Sequence, residues 1–390
     1  MPENPPVTDL LSAYTVPAST ARPTRIDVDL DAISANHQRL SRFAGHPAMA
    51  VLKANAYGHG IGVVARHLAN TGVPHFGVAY LEEALLIRAL GIRTPVLVFG
   101  GVVLEQVADF LEHDIQLAAS SVAKLEHIDR IAGEVGARAT VHLKIDTGME
   151  RIGTHYYNAQ ALFDAAKRVQ HCDIAGVFSH FANADDADLT YSFLQLERFN
   201  DCVAALSDTL GYQPLRHIAN SAATLALPNS HFDMVRCGQA LFGALPAPHL
   251  ADRVRLHAAM RWESRVVFTK VVKPHHPVSY GCTWQSETDT RVVTVPVGYA
   301  DGYPRRLSNC GKVLIRGKHY PVVGRVCMDQ IMVNVGEDEA ANGDTVTLMG
   351  NTLTVCDIAE QADTIAHDIL AGISARVPRR YLLGGREITP

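Results

Sequence analysis

Residues 48–60 read AMAVLKANAYGHG. Five apolar residues run without alternation to Leu52, a lysine follows at position 53, and the chain then opens into Asn, Gly and His. A strand with one wet face alternates polar and apolar side chains, whereas a continuous apolar run suits a strand buried on both faces. The pattern recurs at 75–79, 95–99, 115–118, 140–145, 174–178, 215–218 and 232–235, making eight runs with 48–52. Segments of helical period lie between them, at 63–70, 81–90, 104–113, 122–135, 158–169 and 191–210. Eight strand-then-helix units predict a (β/α)8 TIM-type barrel, with a doubly wound open sheet as the structural alternative.

Past residue 250 the texture changes. Short runs rich in Val and Thr stand at 266–272, 291–297, 312–315, 330–335, 345–348 and 352–355. Turn signals separate them, among them Cys310-Gly311, Arg316-Gly317 and Asn342-Gly343, and helical period returns only at 363–373. This predicts a mostly antiparallel β domain. The expected organisation is a Pro-rich leader over 1–22, a barrel over 23–250 and a C-terminal β domain over 251–390, an α/β plus β architecture.

Composition narrows the partners. Of 390 residues, 47% are hydrophobic and 19% charged, which suits a large core and excludes intrinsic disorder. Thirty-five basic residues stand against 40 acidic, a net charge of −5, so no basic surplus supports nucleic-acid binding. The seven cysteines never approach C-x-x-C spacing, which removes zinc-finger and dithiol readings and predicts reduced thiols and no metal. The first twenty residues carry acids and prolines instead of an apolar signal core, and the longest apolar stretch, 94–104, is about half a membrane span. The expectation is a cytoplasmic protein with no membrane partner.

Barrels place chemistry where strands end. Lys53 closes the first run; burial would lower its pKa and free the amine as nucleophile or base, although a lysine merely leaving the sheet is the plainer reading. The following GHGIG is no dinucleotide fingerprint, because Val63 takes the third glycine's place, and no P-loop occurs. The fifth run ends in Lys144-Ile145-Asp146-Thr147-Gly148-Met149-Glu150-Arg151, which is either a salt-bridged loop or a device that sets Arg151 over the barrel mouth. The sixth ends in Ser179-His180. The seventh and eighth end in Asn220-Ser221 and in Arg236-Cys237-Gly238-Gln239, and a hydroxyl beside bare backbone there is how barrels hold a phosphate. A strand-end lysine with a phosphate cradle points to a phosphorylated aldehyde held as an imine, for which pyridoxal 5'-phosphate is the natural candidate.

The segments AVLKANAYGHG, HLKIDTGMERIG, VFSHFANAD, HIANSAA and MVRCGQALFG, followed by VSYG, PVGYADGYPRRL, VGRVCMDQ and RVPRR, closely resemble the alanine racemase family over about residues 23–381. The resemblance implies a pyridoxal-phosphate enzyme of fold type III that interconverts L- and D-alanine as a homodimer with composite active sites. Lys53 would carry the cofactor and serve as one acid/base, and Tyr280 of the partner subunit would be the other. Tyr57, Ser221 and the backbone of Gly238 and Gln239 would hold the phosphate. Arg236 would bond the pyridine nitrogen, His180 would bond Arg236, and Arg151 would meet the cofactor's phenolic oxygen and the substrate carboxylate. The lysine matching Lys144 is carbamylated in some members. Met328 would contact the substrate carboxylate, Asp329 would position catalytic groups, and Tyr299 and Arg305 would line the access channel.

Three departures stand out: Glu150 where glycine is common, Gln239 for an aliphatic residue, and Ala375 where some members carry a phosphate-binding tyrosine. A racemase of broader range, accepting serine or lysine, and a decarboxylase of the same fold type are the rival readings. Cys327 sits near the place of such a decarboxylase's cysteine but lies within the racemase tetrapeptide CMDQ. The biosynthetic role implied is D-alanine supply for peptidoglycan.

Overall fold

The computed structural model describes residues 22–389; the predicted leader lies outside them apart from Arg22. The chain forms two compact units, each built from separated segments. One takes 27–261, 349–373 and the residues from 379 onward; the other, among the described residues, takes 22–26, 262–348 and 374–378. The units therefore interleave along the chain and are not divided by a single cut.

In the first unit, eight parallel strands form a closed ring: β1 (Ala48–Val51), β2 (Phe76–Val78), β3 (Val96–Val98), β4 (Leu117–Ala119), β5 (Ala139–Asp146), β6 (Cys172–Phe178), β7 (Leu215–His217) and β8 (Val235–Cys237). A bridge between Leu97 and Gln116 joins β3 to the approach of β4. The ring closes as Arg236 N–H donates to Ala219 O at 2.9 Å. Most strands are wholly buried, which is why their sequences show no alternation.

The helices are α1 (Leu30–Ala44), α2 (Ile61–Asn70), α3 (Leu81–Ala89), α4 (Val107–Glu112), α5 (Val122–Val135), α6 (Ala159–Arg168), α7 (Thr190–Leu210) and α8 (Ser221–Ala226). Helix α1 follows a strand at Arg25–Asp29, precedes the first barrel strand and lies outside the helices expected from the sequence, although its signals are local. Asp29 accepts from Ala32 N–H at 2.9 Å, and Gly45 ends the helix at φ 69°. Met49, Leu97 and Met234 fill one part of the interior, while His142, Lys144, His217 and Arg236 occupy positions where barrels usually place aliphatic residues.

The second unit is antiparallel. β9 (Phe268–Val272) pairs with β10 (Thr290–Val295), and β10 pairs with a strand at Ile331–Gly336. β11 (Lys312–Ile315) and β12 (Lys318–Pro321) form a hairpin whose two-residue turn, Arg316-Gly317, has φ 51° and 78°, both positive as a primed turn requires. Val272, Val278, Val292 and Val323 make a core with Trp284 and Met332 against it. The fully buried Asp301 accepts hydrogen bonds from Arg22, from Arg376 Nε at 2.6 Å and from Gly298 N–H at 3.0 Å. It thus ties the segments 22–26 and 374–378 to this unit.

Two expectations are corrected. The strand predicted at 352–355 is a turn leading into α9 (Val355–Gln361): Thr354 Oγ1 caps Asp357 N–H, and Asp357 reaches back to Thr354 N–H at 2.7 Å. The helix predicted at 363–373 is α10 (Ala366–Gly372) alone, separated from α9 by Asp363 at φ 52°. Both helices belong to the barrel unit.

Candidate active site

The strand ends of the barrel surround a cavity of about 770 Å³, within the range of small-molecule sites. Its lining includes Lys53, Tyr57, Lys144, Arg151, His180, Ser221, Arg236, Gly238 and Gln239, so the nine barrel residues singled out from the sequence meet in one place.

Lys53 follows β1 and is half-buried. Burial, with Arg151 nearby, lowers its pKa, and Glu83 opposes the shift. The next four residues, Ala54 to Tyr57, have φ between 51° and 55°, a left-handed helical turn of non-glycine residues. Each such residue costs roughly 1–2 kcal/mol, so the surroundings must impose the conformation. Ala54 N–H donates to Glu83 Oε1 at 2.6 Å, Ile61 N–H to Asn55 Oδ1 at 2.8 Å, and Gly60 N–H to Asn55 O at 2.9 Å. Gly58 completes the turn where a Cβ would strike Leu370 O.

Arg236, on β8, is buried, and among the described residues it hydrogen-bonds to backbone carbonyls and histidines and to no carboxylate. Its Nη2 donates to Ser179 O (2.8 Å), Ile218 O (3.1 Å) and His180 Nδ1 (3.0 Å), and its Nη1 donates to His217 Nδ1 (3.2 Å). Burial lowers its pKa to about 9. Because a guanidinium only donates, His217 must accept through Nδ1 and carry its proton on Nε2, which then donates to His142 Nδ1 at 3.0 Å. Burial and Arg236 keep His217 and His180 neutral, and burial with His75 and Arg236 lowers His142 to about 3. Phe178 stacks on His217 with the rings 2° from parallel.

The loop after β5 is no salt-bridged knot. Asp146 accepts four backbone N–H bonds, from Gly148 (2.8 Å), Met149 (2.9 Å), Glu150 (3.2 Å) and Arg151 (3.2 Å). Burial pushes its pKa up, yet the four bonds outweigh that and hold it below the usual value. The loop is thereby shaped around a carboxylate, and Arg151 is presented at the cavity. Glu150 turns toward His155, 3.6 Å away. Lys144 lies over the Phe178 ring at 4.6 Å, and burial together with Arg236 drives its pKa far down, which favours the neutral amine.

In the same cavity, the Ser221 hydroxyl accepts from Gly238 N–H (3.0 Å) and Ala240 N–H (3.3 Å), which leaves its own hydrogen to donate elsewhere. A Cβ at Gly238 would run into the Tyr57 hydroxyl. Burial raises the Tyr57 pKa, so that hydroxyl stays a donor.

The other predicted residues belong to the second unit. Tyr280 is 72% exposed and Met328 52%. Tyr299 N–H donates to Cys327 O and Ala300 N–H to Met328 O, both at 3.0 Å, at a crossing that leaves no room for a Cβ on Gly298. Asp329 pairs with Arg376 at 2.6 Å; Arg305 and Ala375 are exposed.

The cavity therefore offers an amine of lowered pKa, the guanidinium donors of buried Arg236 and exposed Arg151, and a hydroxyl-and-backbone cradle. That set can condense with an aldehyde and hold anionic groups around it. Reading strand ends alone missed His217, which closes β7, and missed His142, Glu83 and His367. His217 obeys the same positional rule as the others; the remaining three carried no sequence signal beyond residue type. Among the described residues, no cluster of three or more metal-ligating side chains occurs.

Family models for the N-terminal and C-terminal domains of alanine racemase match residues 28–246 and 259–381. An alanine racemase of Symbiobacterium thermophilum is 43% identical, with 92% of this chain and 97% of that one covered. The crystal structure of alanine racemase from Streptomyces lavendulae is 38% identical with a TM-score of 0.90, covering 94% of this chain and 98% of that one. A Bartonella henselae alanine racemase with covalently bound pyridoxal phosphate is 28% identical at a TM-score of 0.87, covering 93% and 100%.

Proposed function

The chain belongs to the alanine racemase family, and from that premise we propose that Lys53 and Tyr280 of the partner subunit are the two bases that interconvert L- and D-alanine. The protein is an isomerase that uses pyridoxal 5'-phosphate. The residues present fit that group. Lys53 would take its aldehyde; Tyr57, Ser221 and the backbone of Gly238 and Gln239 would hold its phosphate; Arg236 would face its ring nitrogen. Bound there, the cofactor supplies the electron sink that makes the substrate Cα–H acidic.

The chain's own groups account for the rest. Burial and Arg151 lower the Lys53 pKa, which favours the neutral amine that a base or nucleophile needs. Arg151 would hold the substrate carboxylate, with Met328 supporting it. Arg236 is oriented by neutral acceptors only, so it can offer a hydrogen bond but no proton sink, and a ring nitrogen facing it stays unprotonated. The observation that carries the reading is this pairing, in one cavity, of a depressed lysine with a buried arginine held by neutral acceptors.

Racemisation needs acids and bases on opposite faces of one carbon, and the exposed Tyr280 supports delivery from a second copy. Carbamylation requires a neutral amine, and the burial that lowers the Lys144 pKa favours that form. Among the described residues no helix is long and apolar enough to cross a membrane; all seven cysteines are free, which supports a reducing, cytoplasmic site, and D-alanine supply for peptidoglycan is the role we propose for the family's reaction there.

The test mixes two dead variants, Lys53→Ala and Tyr280→Ala, and follows L-alanine by circular dichroism. Composite sites restore one good site in each mixed dimer, a partial return of activity; a mixture that stays dead overturns the shared-site reading. Running L-serine and L-lysine alongside sets the substrate range.

A further inference from the structure

We propose that Glu83 is a positioning residue for Lys53, its carboxylate clamping the peptide that follows the lysine and holding the left-handed turn closed. The proposal rests on the reading of Lys53 as the cofactor-bearing amine. Glu83 lies in the first turn of α3 and does more than cap it. Its Oε2 accepts from Ala79 N–H at 2.8 Å and Tyr80 N–H at 3.4 Å, while its Oε1 crosses to Ala54 N–H at 2.6 Å. One carboxylate thus joins the loop after β2 to the loop after β1, at the peptide adjoining Lys53. Other bonds of the turn come from within it or from the residues that flank it, among them Ala56 N–H to Leu52 O, Gly58 N–H to Ala54 O and Gly60 N–H to Asn55 O. At the far end, Arg379 Nε donates to Gly58 O at 3.1 Å, so an anion grips the first N–H of the turn and a cation grips its last carbonyl.

The chemistry requires a carboxylate. A glutamine has one acceptor oxygen and cannot serve both loops. The charge matters too: Arg151 after β5, His180 after β6 and His367 on α10 also act on or feel Lys53, and Glu83 is the acid that favours the ammonium among them.

The test uses the full-length chain with pyridoxal phosphate as probe, from about pH 6 to about pH 10. Borohydride fixes the adduct, and mass spectrometry quantifies pyridoxyl on Lys53. In Glu83→Gln the midpoint of capture moves to lower pH, and the Ala54 amide exchanges hydrogen about ten-fold faster, the size of one charge-assisted hydrogen bond. Glu83→Asp keeps the charge without the reach: its exchange is fast and its midpoint stays nearer the wild type. Arg379→Gln loosens the far end and leaves the midpoint in place. Unchanged Ala54 exchange in Glu83→Gln, an unmoved midpoint, or an equal shift in Arg379→Gln overturns the proposal. Wild-type protein that takes no label on Lys53 overturns the underlying reading and the proposal with it.

Discussion

His142 shows what a single side chain does inside the barrel. It touches no expected ligand, yet it completes the chain of donors that fixes His217 and through it Arg236. Its folded pKa of about 3 lies below the ordinary histidine value, so the unfolded chain binds the proton first. Stability is full above about pH 6.5 and falls as pH drops toward 3. His142→Gln should therefore flatten the pH dependence of urea unfolding by up to about one proton across that window; a slope identical to wild type would refute it. Lys53, Ser221 and Arg236 were legible because strand ends are where function is sought. His142 was not, since nothing in the string distinguishes a histidine that faces the interior from one that faces a helix.

At the scale of elements, the parallel strands were readable because burial on both faces removes alternation, a property each run carries by itself. The turn at 54–57 was not. Apart from Asn55, Ala-Asn-Ala-Tyr has no preference for left-handed backbone, and Glu83, Gly58 and the packing beyond them impose it from outside. The start of α9 had the opposite history. Its signal, Thr354 with Asp357 three residues on, is entirely local, but the Val- and Thr-rich run around it read as strand. Thr354→Ala should cost about 1 kcal/mol in urea unfolding, the ordinary loss of an N-cap oxygen.

For the whole molecule, two compact units imply two acid thresholds. The barrel's neutral histidines titrate first. In the second unit, burial pushes the Asp301 pKa up, but hydrogen bonds from Arg22 and Arg376 prevail and hold it near 2. Its contribution is therefore present at neutral pH and is lost only as pH falls from about 3.8 toward 2. Asp301→Asn should destabilise this unit by roughly 2 kcal/mol at neutral pH, with the loss shrinking in strong acid; tryptophan fluorescence, dominated here by Trp262 and Trp284, reports it. The interleaved segments were beyond reading from the string, because a carboxylate at 301 does not announce that it will gather residues 22 and 376.

That gathering carries a practical corollary for anyone trimming the polypeptide. A chain begun one residue after Arg22 surrenders one of the two guanidinium partners of Asp301. Such a shortened protein should keep its barrel at ordinary acidity and unravel first in the unit that holds Asp301.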